Sequence, residues 1–91
     1  MEINHYKITI SGRVQGVWFR KYARDKALEL GLKGYVRNEF NGDVYAEAEG
    51  SSDDLNLFID WLRIGSPLSQ VENISYRPGE LKHYSGFEIR R

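Results

Sequence analysis

The sequence predicts an α+β fold in which two helices cover one face of a mostly antiparallel sheet. Segments with alternating apolar residues, typical of half-buried strands, occur on both sides of two segments with helical spacing. An Asn41-Gly42 pair between two of the strand segments predicts a hairpin. The chain has 91 residues, of which 41% are apolar. We therefore expect one globular domain over residues 1–91.

The first strand and the first helix differ in the period of their apolar residues. Tyr6, Ile8 and Ile10 alternate with polar residues, which predicts a strand that ends near Gly12. Apolar residues then recur at the spacing of one helix face, at Phe19, Ala23, Ala27 and Leu30. Gly31 is a suitable C-terminal cap for this helix.

The predicted hairpin consists of Lys33–Glu39 and Asp43–Glu49, with Gly50 at its end. In its second strand, one face carries Val44, Ala46 and Ala48, and the opposite face carries Tyr45, Glu47 and Glu49. We expect the apolar face to pack against the helices, because side chains alternate between the two faces of a strand.

The second helix has recognisable start and stop signals. Ser51, with Asp54 three residues later, predicts an N-terminal cap, and Asp53 adds negative charge to the first turn. The apolar stripe that follows comprises Leu55, Phe58, Ile59 and Leu62. Gly65 and Pro67 end the helix.

Two strands complete the chain. Val71–Arg77 is the longer one, and its apolar residues Val71 and Ile74 fall on opposite faces, which is compatible with a β-bulge. Phe87–Ile89 is a short last strand. The order β-α-β-β-α-β with a short final β is a split βαβ arrangement. Right-handed crossovers place both helices on one face, so the expected fold is a ferredoxin-like α+β sandwich. This fold supports many functions.

Composition excludes several kinds of chemistry. The absence of cysteine rules out disulfides, thiolate metal sites and a thiol nucleophile. Only two histidines are present, His5 and His83, and no ligand spacing accompanies them, so we expect no metal and no cofactor. Thirteen basic and thirteen acidic residues balance, which argues against nonspecific nucleic-acid binding. With no leader or membrane-spanning pattern, we expect a cytoplasmic protein. We also expect a monomer.

The segment Gly12–Arg20 carries the strongest signal for a binding site. A loop with two glycines between a strand and a helix can turn several backbone N–H groups towards one anion. Arg20, in the first turn of the helix, opposes the helix dipole but suits an anion bound there. The alternative interpretation is a simple tight turn followed by a solvated arginine.

Asn38 is the second candidate. It shares the parity of Val36 and therefore points towards the helices, where its carboxamide could orient a water molecule. The alternative is local hydrogen bonding before the turn. The neighbouring Glu39 has the opposite parity, so we interpret it as a solvated residue and not as a general base.

Both segments resemble the signatures of the acylphosphatase family. Gly12–Arg20 reads Gly-Arg-Val-Gln-Gly-Val, then a variable residue, then Phe-Arg. Gly34–Gly50 resembles the second signature, and Trp61-Leu62 and Phe87–Arg90 are similar to later parts of the family. The similarity extends over nearly the whole chain, so the resemblance implies a ferredoxin-like acylphosphatase.

The resemblance also implies residue roles. Arg20 would bind the substrate phosphate, and Asn38 would position the attacking water. The remaining phosphate contacts would come from the loop amides of Gln15, Gly16, Val17, Trp18 and Phe19. The implied substrate is an acyl phosphate, and the products are a carboxylate and inorganic phosphate, which would also inhibit.

Two departures and two alternatives accompany this resemblance. Trp18 is a bulky residue in the variable position, and Gly65–Ser69 differs from the usual family loop. The first alternative is a non-catalytic phosphate- or RNA-binding module of the same fold. The second is an accessory domain, since similar domains begin larger carbamoyl-transferring enzymes; we expect a free-standing domain.

Overall fold

The computed structural model describes residues 2–91. Its elements are β1 (Asn4–Arg13), α1 (Phe19–Glu29), β2 (Lys33–Asn38), β3 (Val44–Gly50), α2 (Ser52–Ile64), β4 (Gln70–Pro78) and β5 (Phe87–Arg90). The predicted order is confirmed. Neither helix within the described residues is long and apolar enough to cross a membrane.

The five strands form one sheet in the order β4-β1-β3-β2-β5. All neighbouring strands are antiparallel except β2 and β5, which are parallel. The two helices contact each other and pack on the sheet. The predicted ferredoxin-like α+β sandwich is therefore confirmed, and β5 extends the sheet beyond β2.

The core lies between the helices and the apolar face of the sheet. The fully buried side chains include Ile8, Ile10, Val36, Val44, Ala46 and Ala48 from the strands, and Phe19, Ala23, Ala27, Leu55, Phe58 and Leu62 from the helices. Burial of each large apolar side chain stabilises the fold by about 1.5–3 kcal/mol. The predicted apolar faces of α1, β3 and α2 are thus confirmed.

The strand β4 contains the bulge that the parity of its apolar residues allowed. Ser11 pairs with Asn73 and Gly12 pairs with Val71, so Glu72 has no partner residue in β1. A Cβ atom on Gly12 would lie 2.3 Å from the Gln70 carbonyl oxygen, so only glycine permits this approach. The bulge lies near the end of β1, just before the loop that precedes α1.

The ends of the helices follow the sequence signals closely. The Ser51 hydroxyl oxygen accepts a hydrogen bond from the Asp54 amide at 3.2 Å, which confirms the predicted cap of α2. The cap residue at the end of α1 is Leu30, one residue before the predicted Gly31. Gly31 follows directly with a φ angle of 72°.

Candidate active site

The loop between β1 and α1, residues 14–18, is here called the anion loop. Its apolar side chains Val14 and Val17 are buried, and Phe19 at the start of α1 packs at 6.1 Å, centroid to centroid, from Trp61. The Ser66 hydroxyl donates a hydrogen bond to the Val17 carbonyl at 2.8 Å. These contacts anchor the anion loop to the core, whereas Gly16 and Trp18 in the same loop are exposed.

The backbone of the anion loop presents unused N–H groups. The φ angles of Gly16 and Trp18 are 72° and 64°, and such left-handed turns direct neighbouring N–H groups into one concavity. Within residues 2–91, the amides of 15–19 form no backbone hydrogen bond, and the first bond of α1 joins the Tyr22 N–H to the Trp18 carbonyl. These donors, together with the positive end of the helix dipole, suit an anion.

A cavity of about 410 Å³ opens above the anion loop. It is lined by Val14, Gly16, Trp18, Phe19, Arg20, Lys21, Asn38 and Ile89. The structure thus brings Arg20 from α1 and Asn38 from the end of β2 to one cavity. A neighbouring, more charged cleft shares Arg20 and Asn38 and includes Arg37, Glu39 and Arg91.

Arg20 is half-buried and is held by the last strand. Its Nη1 atom donates a hydrogen bond to the Arg90 carbonyl at 3.2 Å. A guanidinium has five N–H donors, so this bond leaves others for an anion in the cavity. This contact could not be predicted from the sequence, because it joins residues from opposite ends of the chain.

Asn38 has an unsatisfied buried oxygen. Within residues 2–91, its Oδ1 atom is buried and has no hydrogen-bond partner. Leaving a buried acceptor unpaired costs about 1–3 kcal/mol, and such atoms in native structures usually have a functional or solvent partner. The local turn bonding considered for Asn38 does not use this oxygen, which is available to accept a hydrogen bond from water.

The side chain of Gln15 connects the anion loop to the hairpin. Its Nε2 atom donates hydrogen bonds to the carbonyl oxygens of Glu39 and Asp43, each at 2.8 Å. Because Glu39 directly follows Asn38, this bridge fixes the end of β2 relative to the loop. The predicted role of Gln15 involved its backbone amide and not its side chain. The glutamine in the first signature was the available signal for this tether.

Glu39 does not line the cavity above the anion loop, but it lines the neighbouring cleft, and its carboxylate is paired with an arginine. Its Oε1 atom accepts a hydrogen bond from Arg37 Nε at 3.1 Å, and the side chain is partly exposed. The residue lies just beyond the end of β2, which is Asn38. The predicted Lys33–Glu39 strand is therefore one residue too long.

A second polar group, here called the ionic cluster, lies on the sheet face opposite the helices. It consists of His5, Glu47, Glu49, Tyr35, Tyr45 and Tyr84. His5 is fully buried, with Nδ1 2.7 Å from Glu49 Oε2 and Nε2 2.8 Å from Glu47 Oε1. The Nε2 contact lacks hydrogen-bond alignment.

Glu47 and Glu49 have altered acidity in the ionic cluster. Burial raises the pKa of Glu47, but hydrogen bonds from Tyr45, Tyr84 and Tyr35 and the charge of His5 outweigh it, so the net pKa lies below its ordinary value. Burial also opposes ionisation of Glu49, but the Lys82 and Tyr84 amides and His5 lower its pKa overall. Neither carboxylate lines the cavity described above.

No cluster of three or more His, Cys, Asp and Glu side chains in the part of the chain that the structure describes could hold a metal ion. His83, in contrast to His5, is exposed in the segment between β4 and β5. Metal independence remains a prediction.

The fold and the cavity define a class of protein: a small α+β domain that can hold an anion at a strand-to-helix loop. A model of the acylphosphatase family matches residues 6–89. The chain belongs to the acylphosphatase family, a family of hydrolases, which confirms the resemblance seen in its signatures.

Individual relatives agree with the family match. The acylphosphatase of Coxiella burnetii is 41% identical over 83 residues, which cover 91% of this chain and 87% of the relative. That of Archaeoglobus fulgidus is also 41% identical over 83 residues and covers 91% and 93%. The crystal structure of the Bacillus subtilis acylphosphatase matches with a TM-score of 0.95 at 35% identity, covering 99% of this chain and 100% of that one.

Proposed function

We propose that this protein hydrolyses the carboxyl-phosphate bond of acyl phosphates by the attack of a water molecule held by Asn38, without a metal ion. The observation that carries the proposal is the unpaired, buried Oδ1 of Asn38 in the same cavity as Arg20. An anion site alone would support binding. An acceptor placed beside that site gives a nucleophilic water a defined position.

The phosphoryl group of the substrate binds to the anion loop and Arg20. The amides of Gln15, Gly16, Val17, Trp18 and Phe19 would donate to its oxygens, and the Arg20 guanidinium would grip it by paired hydrogen bonds. Support comes from the lack of internal partners for these amides within residues 2–91. Phosphoryl transfer depends mainly on such positioning and charge stabilisation.

The attacking water donates one hydrogen bond to Asn38 Oδ1. This contact orients the water oxygen towards phosphorus and converts a bimolecular attack into an oriented one. The new bond forms between water oxygen and phosphorus, while the bond between phosphorus and the acyl oxygen breaks. The bonding electrons leave with the carboxylate, and the proton lost by water passes to a phosphoryl oxygen.

The leaving group explains why few catalytic groups are needed. A carboxylate departs without protonation, so the site requires no strong general acid. We propose that inorganic phosphate, which shares the anion site as product, inhibits the reaction. We also propose that the protein acts as a cytoplasmic monomer and binds no nucleic acid; its balanced charge supports the last point.

The test is hydrolysis of benzoyl phosphate by the purified protein with and without an excess of chelator. We expect turnover that the chelator does not change and that added inorganic phosphate inhibits competitively. Loss of turnover with chelator would contradict the metal-free mechanism. Salt-dependent RNA binding without turnover would instead favour the non-catalytic binding module.

A further inference from the structure

Trp18 combines an exposed side chain with a strained backbone conformation. Its side chain is 69% exposed, whereas tryptophan is highly buried on average in folded proteins. Its φ angle of 64° lies in the left-handed region, which bulky side chains seldom adopt. Its side chain makes no hydrogen bond at the cap of α1, and its ring belongs to none of the aromatic pairs within residues 2–91. The packing of the fold therefore does not account for this indole ring.

Trp18 is one of the residues that line the cavity, together with Arg20 and Asn38. Val14, Phe19 and Ile89 form an apolar wall beside the polar residues of the cavity, which also include Lys21, ion-paired with Asp25 at 2.9 Å. The cavity thus combines a polar part that suits a phosphoryl group with an apolar part, in which Trp18 is the most exposed residue. An acyl phosphate has the same two parts: a doubly charged phosphoryl group and a hydrocarbon attached to its carbonyl carbon.

The neighbouring cleft has a different chemical character. It shares Arg20 and Asn38, but its further residues include Arg37, Glu39, Phe40 and Arg91. Its charged groups would favour an acyl part that carries a carboxylate. Phe40 is also exposed there, at the turn of the β2–β3 hairpin. The phosphoryl group would occupy the same place in both cases, beside Arg20 and Asn38. The cavity would favour an apolar acyl group, and the neighbouring cleft would favour an acyl group that carries a carboxylate.

We propose that Trp18 and Ile89 form the acyl-group subsite, and that this enzyme prefers acyl phosphates with aromatic or bulky apolar acyl groups. The inference rests on the proposed function and adds a substrate class to it. The indole face would stack on an aromatic acyl group, and the strained backbone of Trp18 would keep the ring at the mouth of the cavity.

The test compares kcat/KM for benzoyl, acetyl and succinyl phosphate in the wild-type protein and in Trp18→Gly, Trp18→Phe and Phe40→Ala. The ratio of benzoyl to acetyl phosphate is the readout, because any effect on the Trp18 amide is shared by both substrates and cancels. We expect this ratio to fall by about 3- to 10-fold in Trp18→Gly, the range for loss of one aromatic contact. Trp18→Phe should keep most of the preference.

Phe40→Ala is the matched control, because it removes an exposed aromatic ring from the other cleft. An unchanged ratio in Trp18→Gly would overturn the proposal, as would a fall in Phe40→Ala instead. A wild-type preference for succinyl phosphate would also overturn it, since the charged cleft would then receive the acyl group. Thermal unfolding should show that Trp18→Gly is folded, because glycine adopts the left-handed conformation without strain.

A binding measurement separates this proposal from the proposed function. Phenylphosphonate and methylphosphonate cannot release a carboxylate, so their affinities do not depend on turnover. Tighter binding of phenylphosphonate that Trp18→Gly removes would support the subsite even in a protein that hydrolyses no acyl phosphate. Equal affinities for the two phosphonates would contradict the subsite even in an active enzyme.

Discussion

The ionic cluster and the anion loop are both polar, but they use their polar groups in opposite ways. In the ionic cluster, His5 lies between two carboxylates, and three tyrosine hydroxyls donate to Glu47 at 3.1, 2.7 and 2.9 Å. In the anion loop, the amides of 15–19 have no acceptor within residues 2–91. The first arrangement stabilises the fold, whereas the second leaves donors available to a ligand.

The starts of the two helices show the same difference on a smaller scale. The first turn of α2 contains Asp53 and Asp54, and Ser51 caps it. The first turn of α1 contains no acidic residue, and its cap residue Trp18 makes no side-chain hydrogen bond. Holding Trp18 in the left-handed conformation costs about 1–3 kcal/mol. A helix start without internal compensation, built at such a cost, is typical of a functional site.

The largest effect should come from removing the cation of the anion site. Arg20→Ala should lower kcat/KM for benzoyl phosphate by about 10³-fold or more, because the arginine stabilises the charge of the transferring phosphoryl group. Affinity for inorganic phosphate should fall as well, as measured by isothermal titration calorimetry. Arg24→Ala, in the same helix and outside the cavity, is the control and should keep both properties. Wild-type phosphate affinity in Arg20→Ala would show that the arginine does not bind the anion.

Breaking the ionic cluster should reduce stability while leaving the site intact. His5→Ala should lower the free energy of unfolding by about 3–5 kcal/mol, because two buried carboxylates lose their shared partner. Urea denaturation would measure this change, with the exposed His83→Ala as control. Phosphate affinity of the folded variant should match the wild type. A large loss of phosphate affinity in a His5→Ala protein of full stability would mean that the ionic cluster and the anion loop are not separate.

The pH dependence of stability should also come from the ionic cluster. The pKa values of Glu47 and Glu49 lie below their ordinary value of 4.5 in the folded protein. As pH falls, the unfolded chain therefore binds protons first. Their stabilising contribution is complete above about pH 4.5 and is lost as pH falls through the folded pKa values.

Burial and Glu47 raise the pKa values of Tyr45 and Tyr84 above their ordinary value of 10.0. Their contribution is complete below about pH 10 and is lost as pH rises through the folded pKa values. Urea denaturation between pH 3 and pH 11 would test both limbs, with Glu47→Gln as the comparison. If the stability of Glu47→Gln had the same pH profile as that of the wild type, the ionic cluster would not be the source of the pH dependence.

The fold could be predicted from the sequence because its signals are local. The alternation in β1, the helical spacing from Phe19, the Asn41-Gly42 turn and the Ser51 cap each act over a few residues. The bulge near Glu72 was also detectable in the sequence, because Val71 and Ile74 fall on opposite parities. Such signals do not depend on the order of the strands in the sheet.

The contacts that join distant segments could not be predicted in this way. Parity placed Glu47 and Glu49 on the face away from the helices, but it did not indicate what covers them. In the structure they are buried, because Tyr84 and the Lys82 amide from the segment before β5 reach them. The bond from Arg20 to Arg90 and the Gln15 bridge to the hairpin are equally long-range. The predicted roles of Arg20 and Asn38 came from the family signatures, and their catalytic roles remain predictions.

The most direct test of the account separates phosphate binding from turnover in Asn38→Ala, with the exposed Asn73→Ala as the matched control. We expect Asn38→Ala to lower kcat for benzoyl phosphate by about 10²–10³-fold, the cost of losing one oriented hydrogen bond in a transition state. Its affinity for inorganic phosphate should remain close to that of the wild type and of Asn73→Ala. Full turnover by Asn38→Ala would contradict the assignment of the attacking water to this residue.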